Sequence, residues 1–296
     1  VTVWILARRN LRIFFRDRAG VFFSLLSALI LMGLYALFLG GLQVDNLQTR
    51  FPAASAATVH AFVDAWVFAG ITMITTVTTG LAALSVFVED SASGRFKDFL
   101  VSPIRRSSVI FGYMLSSFIV ALVMTTVVVA AAQGYTALRG NAVMAPADLV
   151  RTAGFVVISA ATFAAISGCV VTFLRSNGAF AALSTIVGTV IGFLAGAYIP
   201  AGTLPSGVVT VMNSLPFAQS AMLLRQPFTA QAAAALTGGV PEASTALDTF
   251  YGIAISVGDI TISNAMALGE LVLLLLVFSV LSSYRLARRI RSVKGS

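Results

Sequence analysis

Charge is what this sequence has least of. Asp, Glu, Lys and Arg make up 10% of its 296 residues, against about 25% in soluble domains, while 58% are hydrophobic and the mean hydropathy is +0.95. That balance excludes a soluble globule. Cysteine is reduced to Cys169, beside Gly168 inside an apolar run, which excludes an intrachain disulfide or a zinc-type cluster and leaves packing as its role. Lysine occurs at Lys97 and Lys294 alone, and neither follows a glycine-rich loop. The G-x-x-x-x-G-K-[ST] cradle for nucleotide phosphates is therefore missing. The lone histidine, His60, stands at the entrance of an apolar run, as an interfacial residue or, alternatively, a proton relay or ligand. No H-E-x-x-H motif or G-x-S-x-G elbow is present, and there is no cluster of intramembrane carboxylates to couple sodium or protons. Energy for any uphill step has to come from another chain.

What the sequence has is long apolar runs. A hydrocarbon core of about 30 Å takes about 20 helical residues, and six runs qualify: 20–39, 61–88, 109–132, 154–174, 179–198 and 267–284. The expected fold is an all-α polytopic membrane protein, a single transmembrane domain over 1–296 with six transmembrane helices. The first run is too long, and its basic flank too helical in pattern, for a cleaved signal peptide. Ahead of it, in residues 2–18, Arg8, Arg12 and Arg16 recur every four residues while Trp4, Leu11, Phe14 and Phe15 fall on the other side. This predicts an amphipathic helix at the membrane interface, serving as an anchor or as an elbow for a partner. Residues 40–60 read as a short polar connection.

Within the runs a few residues stand out. Thr72, Thr75, Thr76, Thr78 and Thr79 make the second span hydroxylic. Threonines can satisfy themselves on the preceding turn, or they line a contact or a substrate path. Gly188, Gly192 and Gly196, spaced by four, predict a face where another helix approaches closely, within the subunit or between subunits. The acids Asp64 and Glu270 lie near span ends, as solvated groups, a structural pair or a substrate contact. The stretch 199–266 holds Pro200, Pro205, Pro216, Pro227 and Pro241 and breaks into short apolar pieces. Re-entrant or interfacial helices are the expectation, with an extra pair of crossings as the alternative.

Fifteen of the nineteen basic residues fall in alternate segments, namely the N-terminus, 89–108, 175–178 and the C-terminus. By the positive-inside rule these are cytoplasmic. The segment 89–108 concentrates charge, a glycine and a Ser-Pro-Ile break between two spans, and each charge at bilayer depth would cost roughly 2.5–3.5 kcal/mol. It must lie outside the hydrocarbon.

This bend carries a resemblance. Glu89, Gly94, Leu100, Ser102-Pro103-Ile104, Arg105, Arg106 and Gly112, followed after span 5 by Gly202, Leu204-Pro205, Leu215-Pro216 and Arg225, resemble in order and spacing the permease subunits of type-2 ABC exporters, the ABC-2 transporter family. The spacing Glu89-Asp90-Ser91-Ala92-Ser93-Gly94 departs from many relatives, which have a basic residue beside the acid and a shorter approach to the glycine. The resemblance implies that Glu89, Gly94, Phe96, Leu100, Pro103, Ile104, Arg105 and Arg106 couple to an ATPase, with 89–106 as the coupling helix and 2–18 as the connecting helix. Pro103 would stop a helix, and the arginines would pair with partner carboxylates or with anionic headgroups. It implies that Leu204, Pro205, Leu215, Pro216 and Phe217 form an extracellular gate of re-entrant helices between spans 5 and 6. Thr72, Thr75, Thr76, Thr79, Gly188, Gly192 and Gly196 become candidates for the substrate path or subunit interface.

The implied function is the non-catalytic permease of an ATP-driven exporter of amphipathic small molecules in a bacterial plasma membrane, with both termini cytoplasmic. The implied partners are two cytoplasmic ABC ATPase subunits, a second copy of the same or a related permease, and membrane lipid, with no nucleic acid. No cofactor is expected on this chain, ATP and Mg being bound by the ATPase. Alternatives are export of a polysaccharide or lipid-linked glycan precursor, a proton-coupled secondary transporter, and a non-transporting membrane scaffold.

Overall fold

A computed structural model describes residues 2–95 and 105–294. The first part of the chain forms α1 (Thr2–Arg16), α2 (Arg18–Ser24), α3 (Leu26–Leu34), a π-helical segment (Tyr35–Leu39), α4 (Gly40–Arg50), α5 (Ala56–Ala83) and α6 (Ser85–Ala92). Beyond the bend come α7 (Arg106–Leu138), α8 (Pro146–Val171) and α9 (Asn177–Leu194). A 3-10 turn (Ala201–Thr203), α10 (Ser206–Asn213), α11 (Pro216–Thr237), α12 (Pro241–Phe250), the two-residue strands β1 (Ser256–Val257) and β2 (Ile260–Thr261), and α13 (Asn264–Lys294) complete it.

Five helical stretches are long and apolar enough to cross a membrane: Ala56–Ala92, Ser107–Leu138, Pro146–Val171, Asn177–Leu194 and Asn264–Leu286. The pair α10 and α11 adds a sixth only if counted as one span, and it is bent by 87°, as in a re-entrant pair. The expected first span, 20–39, is built of short pieces, α2, α3 and the π segment, which run on into α4. Residues 40–50 are thus helical rather than a polar connection. Their polar residues did not stop the helix, because Gln43, Val44 and Leu47 bury one face.

The core is centred on α5. Of its apolar window 89% is buried, against 11% for α9 and 17% for α13, whose faces are left for lipid or another subunit. Around α5 pack α7, α8 and α11. Small residues set the distances: a Cβ on Gly70 would come 2.8 Å from that of Ala197, and Gly80 lies against Ser117, whose hydroxyl donates to the Gly80 carbonyl (2.6 Å). In α5 the hydroxyls of Thr72, Thr75, Thr76, Thr78 and Thr79 each donate to the carbonyl four residues back, at 2.7–3.0 Å. That local bond lets a polar residue sit in an apolar helix at little cost. Thr76 also meets Thr125 of α7 at 3.1 Å, which is a contact between helices.

The span read as 179–198 ends earlier, at Leu194 with Ala195 as its cap. Gly196 stands past the end with φ +62°, a left-handed conformation that glycine adopts without strain, and Ala197 N–H bonds back to the Gly192 carbonyl (2.7 Å). Three glycines therefore do not share one helix face. A Cβ on Gly192 would collide with the Tyr198 ring, so that glycine makes room for the chain's own cap.

Candidate functional site

A polar cluster lies where α1 crosses the end of α5 and α6. Four apolar-spaced positions of α1, Leu6, Ala7, Asn10 and Phe14, are buried, while Trp4, Ile5 and Phe15 stay exposed alongside the arginines Arg8, Arg12 and Arg16. Leu6 seats against Gly112 of α7, where a Cβ would come within 2.7 Å. This brings Arg9 over the last turn of α6. Its guanidinium makes a fork on Asp90, with Nη1 donating to Oδ2 at 2.6 Å and Nη2 to Oδ1 at 2.9 Å. The Tyr113 hydroxyl of α7 donates to the same Oδ2 at 2.6 Å, and its ring packs edge-on against Phe87.

Asp90 is 1% exposed and Arg9 34%. A buried carboxylate with three donors is satisfied, and bidentate geometry adds direction to strength. The hydrogen bonds it donates to Asp90 hold the Arg9 guanidinium above its ordinary pKa, and burial works the other way. Arg95 reaches both acids, at 3.4 Å from Glu89 and 3.5 Å from Asp90. Three elements, α1, α6 and α7, are thereby clamped at the mouth of the bend.

Of the residues expected to couple, Glu89 is half exposed, and Gly94 closes α6 with φ +79°. Arg105 is exposed at the start of α7, and the backbone of Arg106 begins that helix. Phe96, Leu100, Pro103 and Ile104 lie outside the described residues. Asp90 was missed by sequence reasoning, which chose its neighbour Glu89. The signal that separates them is position: Asp90 follows Val86 and Phe87 at four and three residues, on the buried side of the last turn.

The candidate path residues Thr72, Thr75, Thr76 and Thr79 are fully buried inside the subunit. Thr78 instead opens, with Gly188 and Ser184 of α9, Asp17 and Glu89, on a cleft of about 390 Å³ between α1, α2, α5, α6 and α9. In the candidate gate, Leu204 and Leu215 are extended and Pro205 and Pro216 each introduce a helix, α10 and α11. That is the restriction a proline places on its predecessor. Phe217 stacks on Phe163 at 5.4 Å.

The gate segment holds a second buried charge that sequence reasoning noted without assigning a role. Arg225 of α11 is 2% exposed, and its guanidinium donates to the carbonyls of Ala195 (2.8 Å), Gly196 (2.7 Å) and Gly252 (3.2 Å). Its centre lies 5.3 Å from the Trp66 ring, and the Trp66 indole N–H donates to the Tyr251 carbonyl (2.8 Å). Carbonyls at the end of α9 carry the negative pole of that helix, which suits a cation. Nearby, the Glu270 carboxylate accepts from Gln219, joining α13 to α11.

No curated protein matches the chain. A family model described as ABC-2 type transporter matches residues 1–228, which takes in α1, the bend, the Leu-Pro breaks and Arg225. The chain, a multi-pass membrane permease of a transport system, belongs to the ABC-2 type transporter family.

Proposed function

We propose that this permease is the membrane subunit of an ATP-driven exporter of amphipathic small molecules, and that it hydrolyses nothing itself. Two permeases, identical or related, pair through the faces that α9 and the first span leave exposed, giving twelve spans around a central path. Two cytoplasmic ATPase subunits bind ATP and Mg and dock at residues 89–106 beside α1. The observation that carries this reading is the clamp of Arg9 on Asp90, because it makes α1, α6 and α7 one mechanical unit beside the segment that the positive-inside rule assigns to the cytoplasm. A push on the bend then reaches α5 and α7 directly. The far ends of α10 and α11, with Leu204, Pro205, Leu215, Pro216 and Phe217, close the exit. Phe, Met, Leu and Thr dominate the spans and suit an amphipathic cargo.

The test is to co-purify the tagged permease with the ATPase encoded beside it and follow ATP hydrolysis in lipid nanodiscs. A stable complex is expected, with hydrolysis stimulated by amphipathic compounds and lost in the variant Arg105→Glu/Arg106→Glu. Absence of a complex, or hydrolysis indifferent to those changes, refutes the docking surface.

A further inference from the structure

At the other end of α5 from Asp90, about 39 Å along the helix axis at 1.5 Å per residue, lies a separate cavity of about 240 Å³. The first turns of α5, the last turns of α7 with the loop behind them, and the second half of α11 enclose it. Seven of its seventeen lining residues are alanine, joined by the rings of Phe68 and Phe228 and the thioether of Met144. Asp64 is the single charged side chain among the described lining residues. Its Oδ2 atom is buried and has no hydrogen-bond partner, while the Tyr135 hydroxyl donates to the carboxylate. The basic groups that act on Asp64 through space, Arg139 and His60, do not line the cavity, and Arg139 also lies over the Tyr135 ring.

Two of the other polar walls are committed within the protein. Gln133 accepts from the Met144 N–H (2.8 Å), and the Thr136 hydroxyl donates to the Ala132 carbonyl (2.9 Å), so its oxygen offers lone pairs inward. An anion entering here meets the negative charge of Asp64, with no cation among the described lining residues. A neutral apolar body would leave a buried carboxylate oxygen without a donor, which is costly. A cation that brings its own N–H donors on a small apolar body answers both needs, with its charge on Asp64 and its body beside the rings. At about 30 Å³ per water-sized group, the cavity has room for roughly eight non-hydrogen atoms.

We propose that this cavity is a binding site for a small organic ammonium, held by Asp64 and by the aromatic walls of α5 and α11. It is separate from the cleft beside Glu89 and from the coupling face, and by the charge distribution it opens on the side away from the basic loops. Occupancy ties α5, α7 and α11 together.

The experiment uses isothermal titration of the purified permease in zwitterionic phosphatidylcholine nanodiscs, with empty nanodiscs subtracted. The probes are phenethylamine, a cation of about the right size, and 2-phenylethanol, its uncharged isostere. The amine should bind about tenfold more tightly or better, the ratio expected of a charge-assisted hydrogen bond, and Asp64→Asn should erase the preference. Ala57→Phe, at the exposed rim, should block both probes with the fold intact. Equal binding of the two probes, no binding by the wild type, or a preference that survives Asp64→Asn overturns the proposal. Should Asp64→Asn fail to fold, undiminished amine binding through Ala57→Phe overturns it as well.

Discussion

Two buried arginine-centred clusters brace this protein, and they are built on opposite plans. At the bend, Arg9 pairs with the carboxylate of Asp90 and leaves a third of itself exposed. Among the gate helices, Arg225 is fully enclosed and its two Nη groups donate to three backbone carbonyls while Nε has no partner, and there is no carboxylate partner among the described residues. Side chains can exchange partners as helices move. Carbonyls at a helix end cannot leave without undoing that end. The first plan suits a joint that must transmit motion, and the second suits a fixed staple between α9, α11 and the segment after α12.

The comparison breaks most visibly at the staple. Arg225→Met should lower stability by about 3–5 kcal/mol, since it strands three buried carbonyls, and Arg225→Lys should lose nearly as much because one ammonium cannot reproduce a planar fork. Thermal unfolding in nanodiscs measures both. A lysine variant as stable as wild type would show that charge alone matters there. The joint should cost less: Asp90→Asn is expected to lose about 2–3 kcal/mol, with Arg9 partly solvated on release. In a double-mutant cycle, the exchange Arg9→Asp/Asp90→Arg should recover part of that loss; no recovery would mean that Tyr113, rather than the pair, holds the clamp. Smallest is Gly112→Ala, about 1–2 kcal/mol from overpacking against Leu6, which the second change Leu6→Ala should relieve in the same unfolding assay.

The positions of the helices were legible because apolar runs of span length leave few other readings, and the bend was legible because charge cannot lie in hydrocarbon. The inside of the bundle was less so. In lipid the outward face of a helix is as apolar as the inward one, so nothing in α7 or α13 announces which side packs. Threonine and glycine were ambiguous for a related reason. Thr76 bonds both to its own turn and to Thr125, and a four-residue glycine spacing looked the same whether Gly196 was inside α9 or one residue past its cap. The polar face of α4 hid its continuation from the first span. Arg225 and Asp90 were visible as residues, but their partners are carbonyls and a guanidinium remote in the chain, which local pattern does not encode.

The length of α7 has a mechanical consequence. Its 33 residues make a rod of about 50 Å at 1.5 Å per residue, while the hydrocarbon it crosses is about 30 Å thick. Roughly 20 Å of the rod therefore stands clear of the hydrocarbon. Pivoted at one end, such a lever moves its other end by about 0.9 Å for each degree of tilt. Five degrees move that end by about 4.4 Å and Tyr113, seven residues in from it, by about 3.3 Å, more than the length of the hydrogen bond that ties Tyr113 to Asp90.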